Sequence, residues 1–323
     1  MLDALHLIGG LFLLYFGAEW LVAGAARLGR SLGISTILIG LTIVAYGTST
    51  PEVVVSIEAA MTDHPEVALG NVIGSNIANL ALILGLTALV LPPRVDRSLP
   101  YREVRVLVVT AIALPLVLLD GVVAKWEGAL LLFGALVYTV WMIRTSARGT
   151  PEPAERAAVA ADAAATAGVS PVTRARAKLA LLALLGLVTL VFGGSVFVEG
   201  ATGIALALGL SERIVGLTIV AVGTSLPELA TSLIAAFRGH SDIAVGNVIG
   251  SNIFNVLLCT GAAAVLGSVG APFASLRGDL LVLVAVTLVG AVMMRTERTI
   301  SRLEGGLLVA GYAGYVGYLV YAG

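Results

Sequence analysis

GLTIVAYGTSTPEVVVSIEAAMTDHPEVALGNVIGSNIANLALILG, residues 40–85, occurs a second time as GLTIVAVGTSLPELATSLIAAFRGHSDIAVGNVIGSNIFNVLLCTG, residues 216–261. The two copies align without a gap at an offset of 176, and 27 of 46 positions are identical. The likeness extends back more weakly, pairing Gly17 with Gly193, Gly24 with Gly200 and Leu32-Gly33 with Leu208-Gly209. A repeat at a fixed offset marks a duplicated architecture. Packing alone rarely needs Glu, Asn, Ser and Thr at the same positions of two apolar segments, so the repeat points to a shared polar site.

The 323-residue chain around the repeat is 58% hydrophobic and only 12% charged, with a mean hydropathy of +1.01. Soluble domains carry about twice that share of charge. Apolar runs of about 20 residues recur throughout, long enough as helices to cross about 30 Å of hydrocarbon, and they lack the alternation of membrane β-strands. The expected class is therefore an all-α polytopic membrane protein. A net charge of −1 without a basic stripe gives no reason to expect a nucleic-acid partner, and nothing in the sequence implies a protein partner or a cofactor. Cys259 is the single cysteine, so no intrachain disulfide can form. The first 30 residues lack a basic start and read as a retained first span rather than a signal peptide.

Ten transmembrane helices are expected, at about 5–26, 35–60, 66–91, 103–119, 124–143, 178–207, 213–237, 243–267, 279–294 and 303–321. With loops numbered alternately, all of the 19 Lys and Arg except Lys125, Arg213 and Arg277 fall on one side. By the positive-inside rule both termini face outside and the segment 146–177, rich in Ala, Pro and charge, is a cytoplasmic linker. The linker separates two five-helix repeats, 1–145 and 178–323. An offset of five crossings is odd, so the second repeat enters the membrane inverted, and such inverted repeats place substrate sites at their interface in secondary transporters.

Within each repeat, GTSTPE at 47–52 and GTSLPE at 223–228 contain a proline that must kink or break its helix. Carbonyls are expected to be freed from Ala45 to Gly47 and from Ala221 to Gly223, which is tolerated at membrane depth where they line a cavity or bind an ion. Thr48, Glu52 and Ser56 share one face, as do Thr224, Glu228 and Ser232, and Ser49 and Ser225 add hydroxyls near the breaks. A mid-span carboxylate costs several kcal/mol unless it is paired, protonated or bound to a cation. No Lys or Arg occurs at comparable depth, which leaves metal cations or protons as partners.

In GNVIGSNIAN at 70–79 and GNVIGSNIFN at 246–255, Asn71, Ser75 and Asn79 form a polar ridge matched by Asn247, Ser251 and Asn255. Gly70/Gly74 and Gly246/Gly250 are small-xxx-small pairs that allow close helix approach. Asn76 and Asn252 fall off the ridge, with interhelical bonding one option for them. The donor set is all oxygen, which favours Ca²⁺, Na⁺ or Mg²⁺ over zinc or copper. Two ionised Glu would be neutralised by one Ca²⁺ or two Na⁺, the basis of mutually exclusive occupancy. An intramembrane hydrolase using Ser49 or Ser225 would lack a His or Lys base at depth. A channel would conduct without an obligatory counter-ion.

The duplicated GTSxPE and GNVIGSNI motifs resemble the repeats of the cation/Ca²⁺ exchanger superfamily, specifically prokaryotic Na⁺/Ca²⁺ exchangers. The resemblance covers essentially the whole chain. It implies a secondary transporter rather than an enzyme, with Na⁺ and Ca²⁺ as transported ions, located in the cell (inner) membrane. It further implies alternating access, with the first and sixth spans sliding on a static core. The ions would be bound by Thr48, Ser49, Glu52, Thr224, Ser225 and Glu228, by Ser75, Asn79, Ser251 and Asn255, and by the carbonyls of Ala45 and Ala221. Many exchangers carry Asp at the position of Asn255; here Asn79 and Asn255 match, which removes one carboxylate. H⁺-coupled exchange, or exchange of Mg²⁺ or Mn²⁺, remains the alternative on the same scaffold.

Other polar residues have simpler expectations. Glu19 and Glu199 lie in spans but are not repeat mates, and either a pathway role or a structural hydrogen bond would explain them. Glu58 suits a vestibule or surface, and His64 and His240 suit helix caps or turns. Tyr312, Tyr315, Tyr318 and Tyr321 suit an interfacial belt.

Overall fold

The computed structural model describes residues 2–93, 101–146, 171–209, 221–296 and 299–322. These residues are helical throughout, with only an isolated bridge between Val122 and Gly270. In chain order the helices are α1 (Leu2–Leu32), α2 (Thr36–Thr48), α3 (Thr50–Met61), α4 (Pro65–Val90), α5 (Tyr101–Val117), α6 (Lys125–Ser146), α7 (Pro171–Ala207), α8 (Leu226–Phe237), α9 (Ser241–Leu266), α10 (Phe273–Thr296) and α11 (Arg302–Ala322). Among the described residues seven helices are long and apolar enough to cross a membrane, or eight if α2 and α3, bent by 42°, make one span. The expected span 103–119 is the 17-residue α5. Of the expected span 213–237, residues 213–220 lie outside the described residues. So does most of the expected linker, while its last residues differ from expectation: α7 begins at Pro171, extending the span helix backwards.

Burial separates an inner from an outer set of helices. In the most apolar window of each, 78% of α4 and 83% of α9 is buried, against 11% of α11 and 22% of α6. The inner helices are those carrying the polar ridge. The outer ones present Leu, Val and aromatic side chains outward, which suits a lipid surround rather than water.

α1 and α7 pack antiparallel along a glycine seam. Gly10 lies against Phe197, Gly17 against Leu190 and Gly24 against Ala183, so numbers rise on one helix as they fall on the other. A Cβ on any of these three would stand 2.5–2.6 Å from a backbone nitrogen of α7. Gly186, Gly193 and Gly200 return the same fit from α7. α9 meets α2 in the same way: a Cβ on Gly250 would lie 2.7 Å from Leu41 O. This is the close approach expected of the Gly246/Gly250 pair; the repeat mate of Leu41, Leu217, lies outside the described residues.

The turns repeat as well. Gly33 and Gly209 have φ of 67° and 85°, and the equivalent positions Asp63 and Gly239 have φ of 58° and 75°. His64 and His240 follow immediately before α4 and α9, where their backbone carbonyls accept Val67 N–H and Ile243 N–H. Neither side chain caps its helix. Burial and the nearby Arg30 guanidinium hold the His240 imidazole below its usual range, against the opposing pull of Asp242.

Candidate ion-binding site

The proline breaks set the site. Pro51 and Pro227 stand at the first turns of α3 and α8, a position that tolerates the missing N–H. The preceding Ser49 (φ −80°, ψ 5°) and Ser225 (φ −91°, ψ 7°) take up matching bends. Each bend aims its serine at the other half. Ser49 Oγ donates to Glu228 Oε1 at 3.0 Å, and Ser225 Oγ donates to Glu52 Oε1 at 3.1 Å. Thr224 also hydrogen-bonds Glu52, and Thr48 stands beside Glu228.

Asn71 and Asn247 hold the helices around these bonds. Asn71 Nδ2 donates to Glu52 O at 3.0 Å and Ser56 Oγ at 2.9 Å. Asn247 Nδ2 repeats the pattern on Glu228 O (3.5 Å) and Ser232 Oγ (3.2 Å), and its Oδ1 accepts Thr48 Oγ1 at 3.1 Å. Ser56 and Ser232, which share a face with the carboxylates, are thus engaged in fastening one helix to the next.

The polar atoms left over mark the site. Glu52 Oε2, Glu228 Oε2, Ser75 Oγ, both amide atoms of Asn79 and Asn255 Nδ2 are buried with no hydrogen-bond partner. Glu52, Glu228, Asn79 and Asn255 are all fully buried. Buried polar atoms are almost always satisfied, and an unpartnered carboxylate oxygen is among the costliest to leave bare. Among the described residues the ion pairs lie elsewhere, and none engages Glu52 or Glu228. Four of these atoms are oxygens, Glu52 Oε2, Glu228 Oε2, Ser75 Oγ and Asn79 Oδ1, and such a set fits a small hard cation. Asn79 and Asn255 both lie at wider helical turns, Ala78–Ile83 and Asn255–Cys259, of the kind often found at functional sites. No group of three or more His, Cys, Asp or Glu able to hold a metal occurs among the described residues; the site has two carboxylates supplemented by hydroxyls and amides.

Several expectations need revising. The Ala45 carbonyl is not free: it accepts Ser49 N–H at 3.0 Å, a normal helical bond that keeps only its second lone pair available. In the other half Ser225 N–H turns instead to Val222 O at 3.1 Å, sparing Ala221 O that bond. Asn76 and Asn252 donate within their own helices to Val72 O and Val248 O, at 2.8 and 2.7 Å. Tyr315 leaves the supposed belt, donating to Asp279 at 2.9 Å, while Tyr318 and Tyr321 are exposed. Glu58 is exposed, in line with its expected place at a surface or vestibule, and Glu199 stands 3.7 Å from His6 near the start of α1.

The sequence reading missed two features. Thr231, which aligns with Val55, has a buried hydroxyl without a partner, one turn beyond Glu228. Cys259, which aligns with Ile83, donates its thiol to Asn255 Oδ1 at 3.4 Å. The mismatch between the copies at these two positions was the only signal for either.

A cavity of about 340 Å³ reaches this region between α7 and the two breaks, lined by Ser195, Val198, Glu199, Pro51, Thr224 and Pro227 among others. It lies toward the end of the molecule that holds the start of α1, since Glu199 neighbours His6.

Known proteins share both the sequence and this architecture. The family profile described as "Sodium/calcium exchanger protein" matches residues 3–144 and 178–321. The CaxA protein of Alkalimonas amylolytica, named as an antiporter, is 37% identical over 100% of this chain and 99% of its own. The sodium/calcium exchanger MaX1 of Methanosarcina acetivorans is 32% identical over 98% of both chains. A structure of the sodium-calcium exchanger NCX_Mj superimposes with a TM-score of 0.84 at 32% identity, covering 98% of this chain and 99% of that one. With both halves matched by one family profile and full-length relatives above 30% identity, the chain belongs to the sodium/calcium exchanger family.

Proposed function

We propose that this protein is a secondary active antiporter that exchanges Na⁺ for Ca²⁺ by alternating access. The observation that carries the reading is the pair of buried carboxylates, Glu52 and Glu228, cross-bonded by serines of opposite repeats and each left with one bare oxygen. One Ca²⁺ or two Na⁺ would neutralise them, so the ions compete for one place and their movements are coupled. Thr48, Ser49, Thr224, Ser225, Ser75, Asn79, Ser251 and Asn255 supply the remaining side-chain oxygens, with Ala45 and Ala221 adding carbonyls.

The chain is read as ten transmembrane helices in two inverted five-helix repeats, 1–145 and 178–323, with outer termini and a cytoplasmic linker at 146–177. Inversion draws support from α1 and α7, which are equivalent in the repeat and pack antiparallel. Their backbone-on-backbone seam makes them a unit able to slide as one against the core. The cavity along α7 would then be the outer entrance, and the protein rests open to the outside.

The test is ⁴⁵Ca²⁺ uptake by proteoliposomes preloaded with Na⁺, against the same vesicles preloaded with K⁺ or choline. Uptake that requires internal Na⁺ is expected. Uptake driven instead by a pH gradient would replace Na⁺ coupling with proton coupling.

A further inference from the structure

The two ends of this duplicated molecule differ in one respect that bears on its transport cycle. At the end opposite the cavity, Glu19 of α1 meets Arg238, just beyond α8, in a two-pronged ion pair: Arg238 Nη2 lies 2.5 Å from Glu19 Oε1 and Nε lies 2.9 Å from Oε2. Paired contacts of this form fix orientation as well as adding attraction. Of the three ion pairs described, it alone joins the α1–α7 unit to the core; His6–Glu199 lies within the unit and Arg102–Glu103 within the core.

The repeat supplies the comparison. At an offset of 176, Glu19 corresponds to Ser195 and Arg238 to Thr62. Those mates are uncharged and do not reach each other: Ser195 Oγ donates to Val191 O at 3.3 Å, and Thr62 Oγ1 to Glu58 O at 2.8 Å, each within its own helix. Ser195 instead lines the 340 Å³ cavity. The cavity beside Glu19 and Arg238 is about 150 Å³ and touches none of the candidate ion ligands. The end that holds the ion pair thus has the smaller cavity, away from the candidate ligands, and the end without it has the larger one, which touches Thr224.

We infer that Glu19 and Arg238 form an inner latch that ties the sliding helices to the core and biases the resting protein toward its outward-open state. In a two-fold duplicated exchanger the two access states are near mirror images, so a contact present in only one of them shifts the balance by its full worth. Moving to the inward-open state requires the pair to separate. The inference rests on the proposed orientation and alternating access, and not on which ions are carried.

The experiment uses the sole cysteine to advantage. In a Cys259→Ala background, Ser195→Cys places a thiol in the outer cavity, and its reaction with a membrane-impermeant maleimide is followed on intact cells. Loss of a partly exposed ion pair changes the equilibrium by up to about five-fold, so Glu19→Gln and Arg238→Gln should each slow labelling by about two-fold as the outward state falls toward parity. The charge exchange Glu19→Arg with Arg238→Glu should restore the parent rate, which a general folding defect would not do. Labelling at the parent rate in both single variants would overturn the latch, as would an exchanged pair that labels as slowly as the singles. A failure of the Na⁺/Ca²⁺ reading would show separately, in ⁴⁵Ca²⁺ uptake by the unaltered protein.

Discussion

The first and second repeats carry the same side chains into the site but do not give them the same surroundings. Asn79 has both amide atoms buried and unpartnered, whereas the Asn255 carbonyl accepts the Cys259 thiol and only its NH₂ is left. Ser75 Oγ has no partner, while Ser251 Oγ lies 3.5 Å from Glu228 Oε1. Ser49 keeps a full helical bond to Ala45 O, and Ser225 does not make the corresponding one. Identical motifs thus yield an unequal site; for the asparagines the cause is the residue one turn away, where Ile83 in one copy is Cys259 in the other. The first repeat offers more uncommitted ligand atoms, and a cation should lean on it more heavily.

The carboxylates should be the exception to that inequality. Glu52→Gln and Glu228→Gln should each lower Na⁺-dependent Ca²⁺ uptake by about 100-fold or more while leaving the protein folded, since each removes half the charge that holds the ion. Near-normal uptake in either variant would remove that residue from the site. Substitution at the helix seam should act on stability instead. Gly250→Ala drives a methyl to 2.7 Å from Leu41 O and should destabilise the detergent-solubilised protein by about 1–3 kcal/mol, read as a lowered melting temperature.

The amides test the inequality directly. Asn79→Ala should weaken apparent Ca²⁺ affinity by about ten-fold, and Asn255→Ala by about three-fold, on the scale of one hydrogen bond or ion contact. Equal losses would show that the cation draws on both halves alike. The smallest effect is expected from Cys259→Ala, which frees Asn255 Oδ1 and should shift the apparent Ca²⁺ affinity by about two-fold. Cys259→Ser, which keeps a donor, should restore the parent value; a shift of the same size in both would trace the effect to packing.

Much of the architecture was legible in the sequence because membrane helices announce themselves by composition and length. The repeat marked Glu52 and Glu228, and a proline one residue before each carboxylate marked the helix breaks. Less could be read where one residue type has several partners to choose from. Asn71 and Asn79 share one ridge and Asn76 lies beside it, yet Asn71 fastens α4 to α3, Asn76 bonds back to its own helix, and Asn79 has no partner. Glu19 had no repeat mate to suggest a role, since the ion pair that engages it is present at one end only.

By itself the sequence determined the helical membrane class, the duplication and the pair of acidic residues at depth. These follow from local chemistry: the hydrophobicity of each run, the missing N–H of proline, and the cost of a carboxylate in hydrocarbon. The tertiary structure decided which hydroxyl meets which carboxylate, which asparagine has unpartnered amide atoms, and which end is latched. The first and last of these depend on contacts between residues more than 170 positions apart, such as Ser49 with Glu228 and Ser225 with Glu52. Helical periodicity is a local property and carries no information about the register between distant helices; glycine seams and long-range hydrogen bonds set that register.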